Sequence, residues 1–147
     1  MILPRGITGF WSVDTEAPPV LEENAFCRMC HMLARENGGT AMEVDTDRGA
    51  KNFYSARICR YDDAIYILQN AHYPYAAFAQ RDASGGFVVT NQPTWLRLPE
   101  NSLRFLRAEE LNRDWQDLRG ELSPEEQEQL RYWKAQTVGD ILFNTWD

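Results

Sequence analysis

Four short apolar runs separated by turn residues fill the middle of the chain, and they constrain its fold more than any other feature. Residues 52–60 alternate apolar with polar side chains, and similar runs follow at 64–70, 75–80 and 86–90. The connections between these runs are too short for parallel strands, which need crossovers of about a dozen residues or more. The pattern therefore predicts an antiparallel sheet, to which residues 103–108 would add one more strand.

A helical pattern precedes the predicted strands. The segment 21–36 carries apolar side chains at i, i+3, i+4 and i+7, which lie on one face of an α-helix. These side chains are Phe26, Met29, Cys30 and Leu33. Two glycines, at positions 38 and 39, end the pattern, since glycine is common just beyond a helix C-terminus. We therefore predict an amphipathic helix before the sheet.

Three shorter helices are predicted after the strands. The first covers residues 109–118. The second begins at Ser123, because Pro124 fits the first helical position and Glu126 completes a capping box. The third begins at Thr137 in a similar way, and its apolar side chains point to most sides, so we expect it to dock into the core. Those side chains are Ile141, Leu142, Phe143 and Trp146.

These patterns together predict one globular α+β domain over residues 1–147. An antiparallel sheet of about four to six strands would pack against the N-terminal helix and the C-terminal helices. The length of 147 residues and the mass of 17.0 kDa fit a single domain that needs no metal or disulfide to bury its core. In the irregular opening stretch, Ile7, Phe10 and Trp11 are expected to hold the chain against this domain.

The chain is acidic, with a formal net charge of −7 and an isoelectric point of about 4.8. Such a protein repels the phosphates of nucleic acids and of anionic membranes, so neither is an expected partner. Residues 109–129 hold eight acidic side chains and two arginines, which suits either a solvated helix face or a docking surface for a basic protein. As contact residues of such a surface we predict Glu109, Glu110, Asp114, Asp117 and Glu121.

The string Cys27-Arg28-Met29-Cys30-His31 suggests specific chemistry. A C-x-x-C-H string attaches haem in exported proteins, but no secretory signal precedes it, and the pair lies too far inside a helix for a redox motif. Zinc is a further alternative, with ligands Cys27, Cys30, Cys59 and either His31 or His72. A second close pair of ligands, usual in structural zinc sites, is missing. The competing interpretation is a core helix with incidental thiols and no cofactor.

Other features also argue against catalysis and export. The odd number of cysteines makes no disulfide framework, and the N-terminus lacks a basic region followed by an apolar one, so a reducing cytoplasm is expected. The chain has no nucleophile motif and no glycine-rich phosphate loop. With only His31 and His72, base catalysis by histidine has few candidates, whereas a site built from carboxylates stays open.

Both ends of the chain carry further recognisable strings. Residues 3–10 read Leu3-Pro4-Arg5-Gly6-Ile7-Thr8-Gly9-Phe10, and residues 133–147 include Thr137-Val138-Gly139-Asp140-Ile141-Leu142-Phe143. These strings resemble the ends of small acidic bacterial proteins, some of them immunity proteins of contact-dependent or polymorphic toxin systems. The resemblance implies a protein that blocks a toxin by binding it, and it transfers no functional residues.

We therefore expect a non-catalytic binding protein, an immunity-type inhibitor of a basic bacterial toxin. One alternative is a metal-binding or redox protein that uses Cys27 and Cys30. The other is a domain that binds a small molecule.

Overall fold

The structure, a computed structural model, describes residues 2–11, 16–98, 103–118 and 120–145. One long helix comes first, five strands and a two-residue strand follow, and short helices end the chain. In chain order these elements are α1 (Glu23–Glu36), β1 (Thr40–Asp45), β2 (Phe53–Arg60), β3 (Asp63–Asn70), β4 (Tyr75–Arg81), β5 (Phe87–Thr90), β6 (Arg104–Phe105), α2 (Ala108–Leu111), a 3-10 helix (Trp115–Asp117), α3 (Pro124–Tyr132) and α4 (Val138–Leu142). The predicted α+β fold is confirmed.

The strands form one sheet in the order β1-β2-β3-β4-β5, and each neighbouring pair is antiparallel. The β2–β3 hairpin turns within two residues, because Arg60 pairs with Asp63 across the ladder. β6 lies beside β4 and runs parallel to it, with Tyr75 opposite Arg104. The sheet is therefore a meander of short connections, as the spacing of the apolar runs predicts.

The sheet is covered on both faces. Helix α1 packs on one face, where the buried cluster includes Phe26, Leu33, Tyr54, Ile58, Ile67 and Phe78. The N-terminal stretch and the C-terminal helices pack on the other face, where the cluster includes Leu3, Ile7, Ala77, Trp115, Leu130 and Ile141. The alternation in β2 predicts one mainly polar face, but even Ser55 is buried, because these later elements cover that face.

Strand β1 is absent from the predictions, and its geometry explains why. The pairing of β1 with β2 shifts between Met42 and Asp45, and Glu43 has a left-handed φ of 50°. An irregularity of this kind interrupts the two-residue alternation by which a half-buried strand is recognised in a sequence. The strand is held by its partner rather than by its own pattern.

Two predicted elements are shorter than expected. Of residues 103–108, only Arg104 and Phe105 form a strand, and they pair in parallel. Of residues 109–118, the α-helix ends at Leu111 and a 3-10 helix begins at Trp115. Asp114 separates the two, because its carboxylate accepts a hydrogen bond from the Gln116 amide at 2.8 Å and so caps a new helix.

The predicted starts of the last two helices are confirmed. Ser123 and Glu126 form a reciprocal capping box at α3, with 3.2 Å for each of the two hydrogen bonds. Thr137 and Asp140 do the same at α4. Ile141 and Leu142 of α4 have no exposed surface, as predicted, whereas Trp146 lies outside the described residues.

The N-terminal stretch contacts the domain through fewer residues than expected. Ile7 is fully buried, as predicted, and Phe10 is partly buried. Trp11, which was also expected to hold the stretch against the domain, is 51% exposed and contributes less to this contact than Ile7. In the described part of the chain, no helix has the length and apolar composition that crossing a bilayer requires.

Candidate functional site

The thiols of the predicted zinc site do not form a metal cluster. Cys27, Cys30 and His31 lie on α1, and Cys59 lies on β2. Burial raises the pKa of the Cys30 thiol to about 12, and the neighbouring Cys27 acts in the same direction, so Cys30 is a neutral thiol at pH 7. Nowhere in the described residues do three or more His, Cys, Asp or Glu side chains form a group that could hold a metal ion, and all three cysteines are free.

Three of the five predicted contact carboxylates have hydrogen-bond or ion-pair partners within the chain. Glu109 pairs with Arg107 at 2.8 Å, and Glu110 pairs with Arg104 at 3.2 Å. Asp114 caps the 3-10 helix. The two ion pairs offset part of the negative charge that the sequence assigns to residues 109–129.

A different acidic surface is present on α3. Glu125, Glu128 and Tyr132 occupy positions i, i+3 and i+7 of this helix, so they share one face, and all three are exposed. We call these three residues the acidic face of α3. Neither glutamate forms an ion pair with a described residue, and the same holds for Asp117 and Glu121 of the predicted set.

Tyr132 is unusually open for an aromatic residue. It is 73% exposed, and its ring meets the ring of Trp133 edge-on with 5.3 Å between centroids. Trp133 is itself 37% exposed. Large aromatic side chains that stand out of the surface next to charged groups are typical of protein interfaces.

A cleft of about 480 Å³ lies elsewhere, beside the N-terminal stretch. Its walls come from residues 8–11, 17–18, 20 and 48–51, and His72 contributes to its lining. This volume is in the range of small-molecule sites, which are mostly apolar with a few convergent polar groups. The sequence marks His72 only as a loop histidine among aromatic residues, and the loops that meet it are distant along the chain.

The ring of His72 is held in one orientation. Its Nδ1 lies 2.7 Å from the carbonyl oxygen of Pro19, and a carbonyl only accepts, so Nδ1 carries the proton. Burial lowers the pKa of the imidazole, which keeps the ring neutral at pH 7 and leaves a lone pair on Nε2. Nε2 lies against Gly9, where an added Cβ would approach it to 3.2 Å.

Nε2 has no hydrogen-bond partner among the described residues. Within the described chain, only the Thr90 hydroxyl oxygen is fully buried and lacks a hydrogen-bond partner. Nε2 of His72 is therefore not fully buried. An unpartnered nitrogen that is not fully buried keeps some accessible surface, although His72 as a whole is only 7% exposed. We infer that Nε2 is open to the cleft as a hydrogen-bond acceptor.

The loops around the cleft are held by buried polar side chains. Asn52 and Asn70 both donate to the carbonyl of Ile7, each at 3.0 Å, and they also bind carbonyls of α4. Glu126 is fully buried and accepts from the Gly6 amide at 2.8 Å and the Thr8 hydroxyl at 2.6 Å. The expectation that this part of the acidic segment is solvated is therefore wrong for Glu126, which fixes the N-terminal loop.

The charge of the cleft is opposite to that of the protein. Arg48 and Lys51 line it, and none of its described lining residues is Asp or Glu. Lys51 also binds Asp45 at 2.5 Å, a contact that lowers the pKa of the Asp45 carboxyl. Arg48 is exposed and forms no ion pair with a described residue, so its charge remains available.

Comparison of the chain with known protein families, with curated proteins and with solved structures finds no match.

Proposed function

We propose that this chain is a non-catalytic binding protein whose partner is a basic protein, and that it binds this partner through the acidic face of α3. The observation that carries the proposal is the exposed Tyr132, which shares a helix face with two carboxylates that form no ion pair with a described residue. At protein interfaces, the burial of an aromatic ring commonly contributes much of the binding free energy, and the flanking charges determine which partner binds.

The charge of the whole chain supports this choice of partner. A net charge of −7 attracts a basic protein over a distance and speeds their encounter. Glu109 and Glu110 form ion pairs, whereas Glu125 and Glu128 form none with a described residue, and this difference supports α3 over α2 as the contact. The proposed contact therefore moves from residues 109–121 towards residues 125–132.

The resemblance of the chain ends to immunity-like proteins suggests which class of protein the partner belongs to. We propose a bacterial toxin domain of basic character, which the chain would block in the cytoplasm. Free thiols at all three cysteines agree with a reducing compartment. The Cys27/Cys30 pair supports no second proposal, because Cys30 is buried and neutral and no metal group forms around it within the described residues.

The test begins with the genes beside this one, since an immunity protein is encoded next to its toxin. We would purify the toxin domain encoded there and measure its Kd for the chain at about 50 and 500 mM NaCl. We expect binding to weaken about tenfold or more at high salt. The proposal would be contradicted if no adjacent gene encoded a basic toxin, or if the Kd were the same at both salt concentrations.

Variants assign the binding to α3. The double change Glu125→Gln and Glu128→Gln is expected to reduce the salt dependence, and Tyr132→Ala to weaken binding by about tenfold or more. Glu36→Gln and Tyr61→Ala are matched controls, because both residues are exposed and lie outside the C-terminal helices. Equal losses in the controls and in the α3 variants would remove α3 as the contact.

A further inference from the structure

The cleft beside the N-terminal stretch combines three kinds of contact. Arg48 provides a positive charge at one side. Phe10, Trp11 and Val20 provide an apolar wall, and Trp11 and Val20 are each about half exposed. His72 provides an acceptor in Nε2, which has no protein partner in the described chain.

Each contact selects a property of a ligand. A guanidinium binds carboxylate or phosphate oxygens through charge-assisted hydrogen bonds. Half-exposed apolar side chains gain free energy when an apolar group covers them. A neutral imidazole nitrogen with its lone pair exposed takes a hydroxyl or amine donor.

We propose that this cleft binds a small organic anion with an apolar or aromatic body, whose anionic group meets Arg48 and whose hydroxyl or amine donates to Nε2 of His72. This site is separate from the acidic face of α3, and it does not depend on the function proposed above. A protein that repels anions over most of its surface would admit them here, because the two charged side chains of the described lining, Arg48 and Lys51, are both cationic.

The site is formed before any ligand arrives. Glu126 holds Gly6 and Thr8, and Asn52 and Asn70 hold Ile7, so buried hydrogen bonds fix the backbone of residues 6–8 that leads into the apolar wall. Pro19 fixes the tautomer of His72. A ligand therefore orders little of the protein when it binds, which favours measurable affinity for a small molecule.

The probes are four small molecules, each with a single benzene ring. These are 4-hydroxybenzoate, benzoate, 4-hydroxybenzamide and 4-(aminomethyl)phenol, which vary the charge and the donor separately. Calorimetric titration should show 4-hydroxybenzoate binding about tenfold tighter than the neutral amide and the cation, and several-fold tighter than benzoate. Failure of 4-hydroxybenzoate to bind at about 10 mM, or equal binding of anion and cation, would overturn the proposal.

Two variants separate the contacts. Arg48→Gln should abolish the preference for the anion, while Arg35→Gln, an exposed arginine on α1, should leave it intact. Gly9→Ala places a methyl group 3.2 Å from Nε2 and should remove the advantage of 4-hydroxybenzoate over benzoate. Gly85→Ala is its control, since φ is +84° at Gly9 and +87° at Gly85 but a Cβ at Gly85 meets nothing within 4 Å.

A spectroscopic measurement keeps the test decisive if Gly9→Ala fails to fold. The chain has two histidines, so the imidazole ¹⁵N spectrum is simple to assign. Adding 4-hydroxybenzoate to the wild-type protein should shift the Nε2 signal of His72 and leave the exposed His31 unchanged. Binding that leaves Nε2 of His72 unmoved, or that survives Arg48→Gln in full, would place the probe elsewhere and refute the site.

Discussion

His72 shows how one residue takes its properties from contacts that are remote in sequence. Pro19 lies 53 positions away and fixes the ring through Nδ1. The amide of His72 donates to the side chain of Asn70 at 2.9 Å, and Asn70 in turn binds Ile7 and Leu142. The imidazole is therefore held by both chain ends, and its burial follows from their packing.

The lowered pKa of His72 predicts a loss of stability in mild acid. Burial keeps this ring neutral in the folded state, and Arg48 also disfavours its protonation while Glu126 favours it. As the pH falls below about 6.5, the unfolded chain gains a proton that the folded chain resists, so the free energy of unfolding decreases. Urea unfolding between about pH 7.5 and pH 5.5 should show this decrease.

The variant His72→Gln should be less stable at pH 7.5 but should lose less stability on acidification. His31→Gln, which changes an exposed histidine, is the control and should follow the wild type. If His72→Gln shows the same decrease with pH as the wild type, the decrease has another source.

The first turn of α3 connects an element to the rest of the fold. Glu126 accepts from the Ser123 amide as part of the capping box, and its two oxygens also accept from Gly6 and Thr8 of the N-terminal stretch. Four donors and the positive end of the helix dipole stabilise this buried carboxylate in place of a cation. Glu126, which the sequence identifies as part of a helix cap, thus also binds residues 118 to 120 positions away in the chain.

We predict that Glu126→Gln destabilises the protein by about 3 kcal/mol. The NH2 group of glutamine cannot accept hydrogen bonds, so some of the donors that now bind the carboxylate would be left unpaired. Glu125→Gln changes the adjacent, exposed carboxylate and should stay within about 0.5 kcal/mol. Urea or guanidinium denaturation measures both. Similar values for the two variants would mean that Glu126 is not the link between α3 and the N-terminal stretch.

The elements that the sequence predicts well are those with a local signal. Helix α1 has a complete apolar stripe, and α3 has its capping box at Ser123. Strand β1 was missed because it depends on pairing with β2. The break between α2 and the 3-10 helix was missed because the backbone beside Asp114 bonds to the start of α4, where the Val138 amide donates to Arg113 and Gln136 accepts from the Trp115 amide. Periodicity cannot register a contact that lies outside the segment.

At the scale of the whole molecule, Asn52 and Asn70 join the sheet to both chain ends. Asn52 donates to Ile7 and Ile141, and Asn70 donates to Ile7 and Leu142. Both asparagines are buried, so each bond is shielded from water. This arrangement predicts that the N-terminal stretch, the sheet and α4 unfold together in one transition.

A double-mutant cycle tests this coupling. Asn52→Ala and Asn70→Ala should each cost about 2 kcal/mol, and the double variant should lose about 1 kcal/mol more than their sum, because the Ile7 carbonyl then loses both side-chain donors. Asn24→Ala, at an exposed position of α1, is the control and should be near neutral. Strictly additive losses, or two separate unfolding transitions, would show that the two ends are held independently.

The sequence by itself determined the order of most elements, the meander of the sheet and the start of α3. These follow from periodicity and from capping residues within a few positions of each other. The sequence also identified Cys30 as part of a core stripe, and the structure confirms its burial.

Only the tertiary structure decided what covers the sheet and where the polar groups meet. Ser55 is buried on the face of β2 that its pattern marks as mainly polar, Glu126 lies inside the protein, and His72, Arg48 and Gly9 share one cleft. The physical reason is that burial and hydrogen bonding depend on distances in space, and the partners of these residues come from opposite ends of the chain. A local pattern carries the propensity of a segment, whereas the site is formed only when the folded ends bring their side chains together.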